Sequence, residues 1–555
     1  MLRLHVSAAL VAAAVFSCSS PPIDVPPGDS GVPLEDAGPT EPEDAGADAG
    51  TEPDAGEPID AGVPVEPIAW GDCALHSEGG SPTRAECARV AVPLRAEGGD
   101  GGTIEIFVKR WAPDGGTRER QLWMLNGGPG ASGMAYENIA EAIGVRALDI
   151  EWYLPDHRGT GRSNRLGCVE EAPGSEWGRS ISPNEWPSCI ANAQAAYGDT
   201  MTAYSTTNAA NDLGVLIPRS KREGQKVFVY GASYGTYWAH RYLQLYPSQA
   251  DGVILDSMVP SPGSLAEQDS DANEAGQLFF DGPCKSDATC AAKLGADPWA
   301  TANATLAKLK TGHCSGFAAP YGLPAHVLLR RVFGSMMMGF SLRPYIAAAL
   351  YRADRCNAAD QAALARLMQV FFGTAPSAAA ALAAQQGGWI LSNNILFSEL
   401  WPTAAPLPTA ADLLASRENS VVSRDVTSSM DVLVGTWPTY ARDRWVDAWA
   451  VTTTPMLMLA GGLDPATTYR KQLLVKPHFT APGQHWVEFP LGAHGVITSS
   501  PTNANTSCGT AVMLSFLRSP LAAPDTACKS DLRGVDFVGN SATAQQLFGT
   551  TDMWE

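Results

Sequence analysis

A Gly-x-Ser-x-Gly pentapeptide at the end of a short β-branched and aromatic run most constrains the fold of this 555-residue chain. Residues 226–230 have the composition of a strand, the pentapeptide spans residues 231–235, and residues 236–246 have the pattern of a helix. In such a strand–turn–helix corner the central serine sits on a strained turn with its hydroxyl above the sheet edge. The pattern predicts Ser233 as a nucleophile.

Apolar runs of strand length alternate with helical stretches through the first half of the chain. This alternation is typical of α/β proteins, and near-continuous apolar runs suit central strands that are covered on both faces. We therefore expect an α/β fold with a mostly parallel central sheet. The expected strands cover residues 103–111, 121–125, 148–154, 227–230 and 252–256, and further strands cover 455–460 and 485–490.

The character of the sequence changes after Pro260. Residues 261–445 carry alanine, leucine and charged residues at helical spacing, and they contain no convincing strand pattern. A helical block between two α/β segments of one sheet is typical of a lid. We expect a core formed by residues 67–260 and 446–555, with a helical lid over residues 261–445.

Two loops that follow predicted strands carry the side chains that a nucleophilic serine needs. A serine hydroxyl requires a histidine to accept its proton and a carboxylate to orient that imidazole. Asp464 follows the run 455–460, and His494 follows the run 485–490. Because parallel strands present reactive groups at their carboxyl ends, we predict a catalytic triad of Ser233, Asp464 and His494.

Two other residues compete for these roles. His485 is an alternative base, but it opens a predicted strand rather than following one, which is typical of a packing residue. Asp256 ends the predicted strand after Ser233, where some hydrolases place the carboxylate.

The segment Asn126-Gly-Gly-Pro-Gly-Ala-Ser-Gly133 follows the run 121–125 and supplies candidate donors for an oxyanion. Its glycines let backbone N–H groups face a developing negative charge. We predict the N–H groups of Gly128 and Tyr234 as the oxyanion hole, with Gly127 as the alternative to Gly128. The same segment also matches a dinucleotide-binding pattern with Asp156 as a ribose ligand, but Pro129 removes a backbone donor that a pyrophosphate would use.

The first 18 residues resemble a bacterial lipoprotein signal. Arg3 precedes an apolar stretch over residues 8–16, and the segment ends at Cys18, which we expect to be lipidated. Ser19 favours sorting to the outer membrane, and we expect the lipid to be the sole membrane attachment. An ordinary secretory signal that is cleaved nearby is the alternative, and both would export the chain.

Residues 19–66 form an acidic linker between this signal and the folded region. The linker carries thirteen acidic residues and no lysine or arginine, and Asp-Ala-Gly recurs five times between Asp36 and Asp60. It has too little apolar surface to fold, so we expect an extended tether. The linker accounts for most of the net charge of −20, and the remaining mildly acidic region gives no reason to expect a nucleic-acid partner.

Ten cysteines follow Cys18, an even number that fits an exported, disulfide-bonded protein. Proximity along the chain suggests the pairs 73 with 87, 168 with 189, 284 with 290, 314 with 356 and 508 with 528, although spacing alone leaves the connectivity open. The sequence contains no Cys-x-x-Cys or His-Glu-x-x-His spacing, so we expect no metal site, and the predicted chemistry requires no cofactor.

Five motifs, in this order, resemble those of the prolyl iminopeptidase and tripeptidyl aminopeptidase group of serine α/β-hydrolases. The resemblance covers about residues 70 to 530, and the Asp-x-Arg-Gly-x-Gly-x-Ser element is its most specific part. The segment between Cys508 and Cys528 is similar to the C-terminal piece of the secreted tripeptidyl aminopeptidase-like branch. The motifs are residues 126–130, 156–163, 231–235, 461–465 and 492–494.

This resemblance implies an α/β-hydrolase fold and an exopeptidase that acts on peptides with a free N-terminus. It also implies carboxylates under the lid that hold the substrate ammonium. Glu399, in a segment similar to one in these relatives, is the first candidate anchor, and Glu267 and Glu274 are further candidates. A carboxylesterase with the same triad is the alternative function, because the same machinery cleaves esters.

Overall fold

The computed structural model describes most of the chain after the acidic linker. The predicted signal, its lipidated Cys18 and the acidic linker up to residue 65 lie outside the described residues, so lipid anchoring stays a prediction. None of the described helices is long and apolar enough to cross a membrane. The described residues are 66–79, 82–97, 102–172, 174–175, 181–373, 386–425 and 429–555.

A nine-stranded sheet forms the centre of the molecule, in the order β1-β2-β3-β5-β4-β6-β7-β8-β9. The pairs from β5 to β9 are parallel, whereas β1, β2 and β3 form an antiparallel edge that joins β5 through β3. The mostly parallel sheet predicted from sequence is therefore confirmed. The strands are Gly71–Ala74, Arg84–Pro93, Thr103–Trp111, Arg120–Leu125, Ile150–Pro155, Lys226–Ser233, Gly252–Met258, Met456–Gly461 and Gln484–Phe489.

The antiparallel edge contains the two strands that the sequence patterns did not predict. β1 has four residues, all at least partly exposed, and β2 alternates buried and exposed positions with charged residues among them. The central strands β5, β7 and β8 are instead buried at every position, and their apolar runs were recognisable in the sequence. Burial on both faces therefore explains why β5, β7 and β8 were recognisable as continuous apolar runs.

Helices cover both faces of the sheet, and two apolar cores fill the space between helices and strands. The α-helices that belong to the sheet region are α1 (Glu137–Gly144), α2 (Trp186–Tyr197), α3 (Thr206–Ser220) and α4 (Tyr234–Leu245), with α14 (Tyr469–Leu473) and α15 (Cys508–Arg518) after the insertion. Helix α4 starts directly after β6 and is buried at nearly every position, because the sheet lies on one side and α3 on another.

The described residues between β7 and β8 form helices and contribute no strand to the sheet. A third apolar core belongs to this helical insertion. Its α-helices are α5 (Gln268–Phe279), α6 (Ala288–Leu294), α7 (Pro298–Lys310), α8 (Ala325–Met337), α9 (Pro344–Arg355), α10 (Ala358–Phe372), α11 (Trp389–Glu399), α12 (Ala410–Glu418) and α13 (Met430–Leu433).

The C-terminal residues pack on the helical insertion rather than on the sheet. Val535 and Phe537, together with helix α16 (Ser541–Phe548) and Trp554, bury apolar side chains in the core of the insertion. The expected division placed all of residues 446–555 with the sheet. The chain instead returns to the insertion after α15, because the outer faces of α9 and α10 need an apolar cover.

The ten cysteines form five disulfides, and each disulfide joins two cysteines that are consecutive among the cysteines of the chain. The pairs are Cys73–Cys87, Cys168–Cys189, Cys284–Cys290, Cys314–Cys356 and Cys508–Cys528, as proximity along the chain predicted. Cys168 and Cys189 lie beside Glu170 with spacing that could suit a metal ion, but their sulfur atoms are bonded to each other.

Thiol labelling tests this pairing directly. Alkylation of the denatured, unreduced protein should modify none of these ten cysteines, and labelling after reduction should modify all of them, because each sulfur is bonded to a partner. Peptide mapping by mass spectrometry provides the measurement. Substantial labelling of any pair without reduction would contradict the pairing.

Candidate active site

Ser233 lies at the junction between β6 and α4 with φ 59° and ψ −131°, a left-handed backbone conformation that is strained for a serine. Two glycines make the junction sterically feasible. A Cβ atom on Gly231 would lie 2.2 Å from the carbonyl oxygen of Gly235, and one on Gly235 would lie 2.1 Å from the carbonyl oxygen of Leu125. The turn itself therefore requires Gly231, and its close packing against the end of β4 requires Gly235.

Asp464 and His494 lie on the loops that follow β8 and β9, and they are in direct contact. Nδ1 of His494 is 2.9 Å from Oδ2 and 3.0 Å from Oδ1 of Asp464. The N–H groups of Ala466 and Thr467 donate to Oδ1, and the Thr467 hydroxyl donates to Oδ2. Burial acts to raise the pKa of Asp464, but the charge of His494 and these hydrogen bonds outweigh it, so the pKa lies below its ordinary value.

The side chain of Asp256, the alternative acid, binds backbone N–H groups of the loop that carries His494. Its carboxylate accepts hydrogen bonds from the N–H groups of Val496 (2.6 Å) and Ile497 (3.0 Å). The hydroxyl of Ser257 accepts a third from the N–H of Gly495. The structure thus places Asp256 beneath the loop, whereas Asp464 contacts the imidazole itself. Burial keeps the pKa of Asp256 above its ordinary value despite these donors.

Ser233 and His494 line one cavity of about 420 Å³ between the sheet and the helical insertion. His485, the alternative base, lies in β9 and is not among the residues that line this cavity. The wall is predominantly apolar, with large side chains from both the sheet region and the insertion. These include Ile181, Trp186, Val259, Leu265, Met338, Trp389, Leu396 and Met430.

The glycine-rich segment after β4 lines this cavity beside Ser233. A Cβ atom on Gly127 would lie 2.7 Å from Cβ and 3.1 Å from Oγ of Ser233, so the segment passes directly over the serine. The N–H of Gly127 already donates to the side chain of Asn126. The geometry therefore favours Gly128 over Gly127 as the donor on this segment, and Gly128 and Tyr234 both line the cavity.

Asp156 fixes the same segment from below. Its Oδ1 accepts from the hydroxyl of Ser132 and from the N–H of Gly133, and its Oδ2 accepts from the N–H and Nε of Arg162. The side chain is fully buried. Both oxygens are thus engaged within the protein, and the carboxylate is not available to a ribose, which argues against the dinucleotide-binding interpretation.

The Tyr234 side chain is held by a buried chain of hydrogen bonds. Burial lowers the pKa of His157 to about 3, so its imidazole is neutral. Its Nδ1 lies 2.7 Å from the carbonyl oxygen of Arg158, which identifies Nδ1 as the donor and leaves Nε2 to accept from the Tyr234 hydroxyl at 3.1 Å. Thr206 contacts the same hydroxyl at 2.9 Å. These contacts fix Tyr234, the residue directly after Ser233, whose backbone N–H is a predicted oxyanion donor.

Glu399 does not lie where an anchor for a substrate ammonium is needed. The side chain is fully buried and is not among the residues that line the cavity. Its Oε1 accepts from the N–H of Thr206 (2.8 Å) and the hydroxyl of Tyr440 (2.6 Å), and its Oε2 lies 3.4 Å from Nη2 of Arg241. Glu399 therefore joins the insertion to α3 and α4. Because its carboxylate is buried and already paired, it cannot contact a substrate in the cavity.

The two further candidates for the amine anchor also point elsewhere. Glu267 pairs with Lys471, and Glu274 pairs with Arg470, at partly exposed positions outside the cavity lining. Among the described lining residues the one carboxylate is Asp425, which no sequence motif indicated.

Asp425 is not a free anion. Its Oδ2 contacts Nε of Arg331, and its Oδ1 lies 3.4 Å from Nε of Arg417 and 4.0 Å from Nη2 of Arg330. The surrounding guanidinium groups therefore neutralise the carboxylate at the edge of the cavity.

Glu399→Gln should lower the free energy of unfolding by about 3 kcal/mol, because it removes the fully buried counter-charge of Arg241 and leaves only the partly exposed Asp443 at 3.9 Å. Urea denaturation provides the measurement. Glu267→Gln is the matched control, since its pair with Lys471 is partly exposed and should contribute less than about 1 kcal/mol. Equal stability of the two variants would contradict the structural assignment of Glu399.

Comparisons with known proteins support the α/β-hydrolase fold. Residues 122–289 match the family model described as the alpha/beta hydrolase fold. A tripeptidyl aminopeptidase from Streptomyces lividans is 28% identical over 242 residues, which are 39% of this chain and 43% of that protein. Serine protease Hip1 from Mycobacterium tuberculosis is 25% identical over 253 residues, which are 42% of this chain and 48% of that protein. The chain thus matches less than half the length of these curated relatives.

Among solved structures, an epoxide hydrolase from an endophytic Streptomyces aligns with 75% of this chain and 91% of its own at 18% identity, with a TM-score of 0.28 that is too low for residue-level comparison. The family match covers β4 through α5 and therefore includes the Ser233 turn. The sheet order and the family match show an α/β-hydrolase fold, and part of the chain is similar to tripeptidyl aminopeptidases.

Proposed function

We propose that the protein is a serine hydrolase in which Ser233, His494 and Asp464 form the catalytic triad. The observation that carries this proposal is that Ser233, on its strained turn, lines the same cavity as His494, whose Nδ1 contacts a buried carboxylate. In this mechanism Nε2 of His494 takes the proton of the Ser233 hydroxyl as Oγ attacks a carbonyl carbon. The same proton then passes to the leaving group, and water releases the acyl group from Ser233.

The N–H groups of Gly128 and Tyr234 are the proposed donors to the oxyanion of the tetrahedral intermediate. They flank the serine, on the glycine-rich segment and at the start of α4. The N-terminus of α4 adds its dipole, which favours negative charge at this position. Because Asp156 and His157 fix these two segments separately, the donors are held in place before substrate binds.

We propose an exported aminopeptidase that releases N-terminal residues or short peptides. The names of the relatives, tripeptidyl aminopeptidase and serine protease, support peptide bond hydrolysis. The apolar cavity between the sheet and the insertion supports binding of a chain end rather than of a long folded segment. Five disulfides support folding outside the reducing cytoplasm, and lipidation of Cys18 would anchor the protein in the cell envelope, with the outer membrane favoured.

A carboxylesterase is the second candidate, and one observation favours it. Asp425, the one carboxylate among the described residues of the cavity wall, is already paired with arginines. A peptide ammonium would need an anionic partner in this apolar site, whereas a neutral ester would not. The two functions therefore differ in how they depend on a charged amine in the substrate.

Matched chromogenic substrates separate the two functions. For an aminopeptidase we expect cleavage of free-amine aminoacyl and tripeptidyl anilides, with little cleavage of their N-acetylated forms. Ser233→Ala should abolish turnover without changing the thermal unfolding temperature, because Ser233 is the proposed nucleophile. Turnover of p-nitrophenyl esters alone would favour the carboxylesterase. Hydrolysis that survives in purified Ser233→Ala would refute the assignment of the nucleophile.

Exchange of each buried acid for its amide distinguishes Asp464 from Asp256. In Asp464→Asn the amide oxygen should keep the two backbone N–H bonds at Oδ1, so the NH₂ group faces Nδ1 of His494. This forces the proton onto Nε2 and should lower kcat by on the order of 10³-fold to 10⁴-fold. Asp256→Asn leaves the tautomer unchanged and should retain at least tenfold more activity. Steady-state kinetics provide the measurement, and equal losses would contradict the assignment.

A further inference from the structure

Arg343 is a fully buried arginine of the helical insertion, directly before helix α9. Its guanidinium donates three hydrogen bonds, all to main-chain carbonyls. Nε donates to Met337 at 3.0 Å, Nη1 to Leu491 at 2.7 Å and Nη2 to Leu463 at 2.8 Å. The first carbonyl belongs to the insertion, and the other two belong to the loops after β9 and β8.

The two loop carbonyls are close in sequence to the proposed acid and base. Leu463 immediately precedes Asp464, and Leu491 lies three residues before His494. The loops also contact each other directly, because the N–H of Leu463 donates to the carbonyl oxygen of Gly492 at 3.0 Å. One guanidinium therefore connects both loops at the point where they already meet.

The side chains of the same two leucines turn towards the insertion. Leu463 and Leu491 are both buried, and both belong to the apolar core that the helices of the insertion form. Each loop is thus fixed twice, once by its leucine side chain in that core and once by its carbonyl on Arg343. The insertion forms part of the support of the acid and the base as well as covering the cavity.

The chemistry of the guanidinium suits this task. No carboxylate oxygen of the described residues lies within 4 Å of Arg343, so the group is held by carbonyl dipoles instead of an ion pair. Burial lowers the pKa of Arg343 to about 9, and the negative charge of Asp464 acts in the opposite direction. A planar fork can donate to two carbonyls at fixed separation, which the single ammonium of lysine cannot reproduce.

We propose that Arg343 is a positioning residue that sets the distance between Asp464 and His494 by bridging the carbonyls of Leu463 and Leu491. This inference rests on the proposed triad. It makes the helical insertion part of the catalytic apparatus, because the bridge originates there. Displacement of a catalytic group by about 1 Å can lower turnover by about 10²-fold, so loss of the bridge should affect kcat more than substrate binding.

Arg343→Lys is the test variant, and Arg352→Lys is its matched control. Arg352 lies on helix α9, which Arg343 directly precedes, and is also fully buried. It donates to the carbonyls of Met553, Asp552 and Glu555, remote from the loops of the acid and the base, and unlike Arg343 it also lies 3.6 Å from a carboxylate oxygen of Asp360. Arg343→Lys should lower kcat at least tenfold with KM within threefold. Arg352→Lys should keep kcat within twofold, even if its thermal unfolding temperature falls as much.

A second measurement does not require turnover. Proton NMR should show a downfield imidazole proton for the His494–Asp464 hydrogen bond in the wild-type protein, assigned by its loss in His494→Ala. This signal should shift or broaden in Arg343→Lys and remain unchanged in Arg352→Lys. If the wild-type protein shows no hydrolysis and Ser233 does not react with a fluorophosphonate, the proposed function fails, while this signal still reports on the bridge.

Three results would overturn the inference. The first is a folded Arg343→Lys protein that retains kcat within twofold and an unchanged imidazole signal. The second is an equal loss of kcat in the two lysine variants, which would indicate a general effect of a buried arginine. The third is failure of both Arg343→Lys and Arg343→Gln to fold while the Arg352 variants fold, which would assign Arg343 to stability alone.

Discussion

The hydrogen bond between His494 Nδ1 and the Asp464 carboxylate joins two loops that follow different strands. No covalent bond links these two loops to each other, so noncovalent contacts have to hold them together. Buried groups hold each loop in place. Asp256 and Ser257 bind three consecutive N–H groups after His494, and Arg343 reaches from the insertion to a carbonyl on each loop. A buried polar group without a partner costs free energy, so every one of these contacts resists displacement of the loops.

Buried groups also hold the segments on the other side of the cavity in place. The glycine-rich segment after β4 can pass over Ser233 because Gly127 has no Cβ. Asp156 then holds the segment through two donors, the Ser132 hydroxyl and the Gly133 N–H, while Arg162 supplies the other two donors to this carboxylate. Tyr234 is fixed independently through His157. Preorganised N–H donors do not have to reorient when negative charge develops on the oxyanion. Rigid support of the two proposed donors therefore matters more for stabilising that charge than the number of donors. The Asp-x-Arg-Gly-x-Gly-x-Ser motif thus serves the proposed oxyanion hole from outside the cavity.

The helical insertion contains the carboxylates that were candidates for binding a substrate amine. Glu399 is engaged with Arg241 and Tyr440, and burial and the charge of Glu399 raise the pKa of that tyrosine, so this network stabilises the junction between insertion and sheet. The carboxylate that does reach the cavity, Asp425, is surrounded by arginines. Recognition of a charged amine would therefore compete with existing ion pairs, which is the physical basis for testing peptides against esters.

The sequence by itself determined the α/β class and the predicted nucleophile and its two partners, because these depend on local patterns: a strand followed by a glycine-flanked serine, and polar residues behind apolar runs. Proximity along the chain suggested the disulfide pairs, but the structure was needed to establish their connectivity. The sequence could not determine that Glu399 faces Arg241 or that the C-terminal helix covers the insertion. The same holds for Arg343, which bridges carbonyls 120 and 148 residues away. Backbone carbonyls have no sequence signature, and the partner of a buried charge is chosen by packing across the whole fold, so only the tertiary structure decided these contacts.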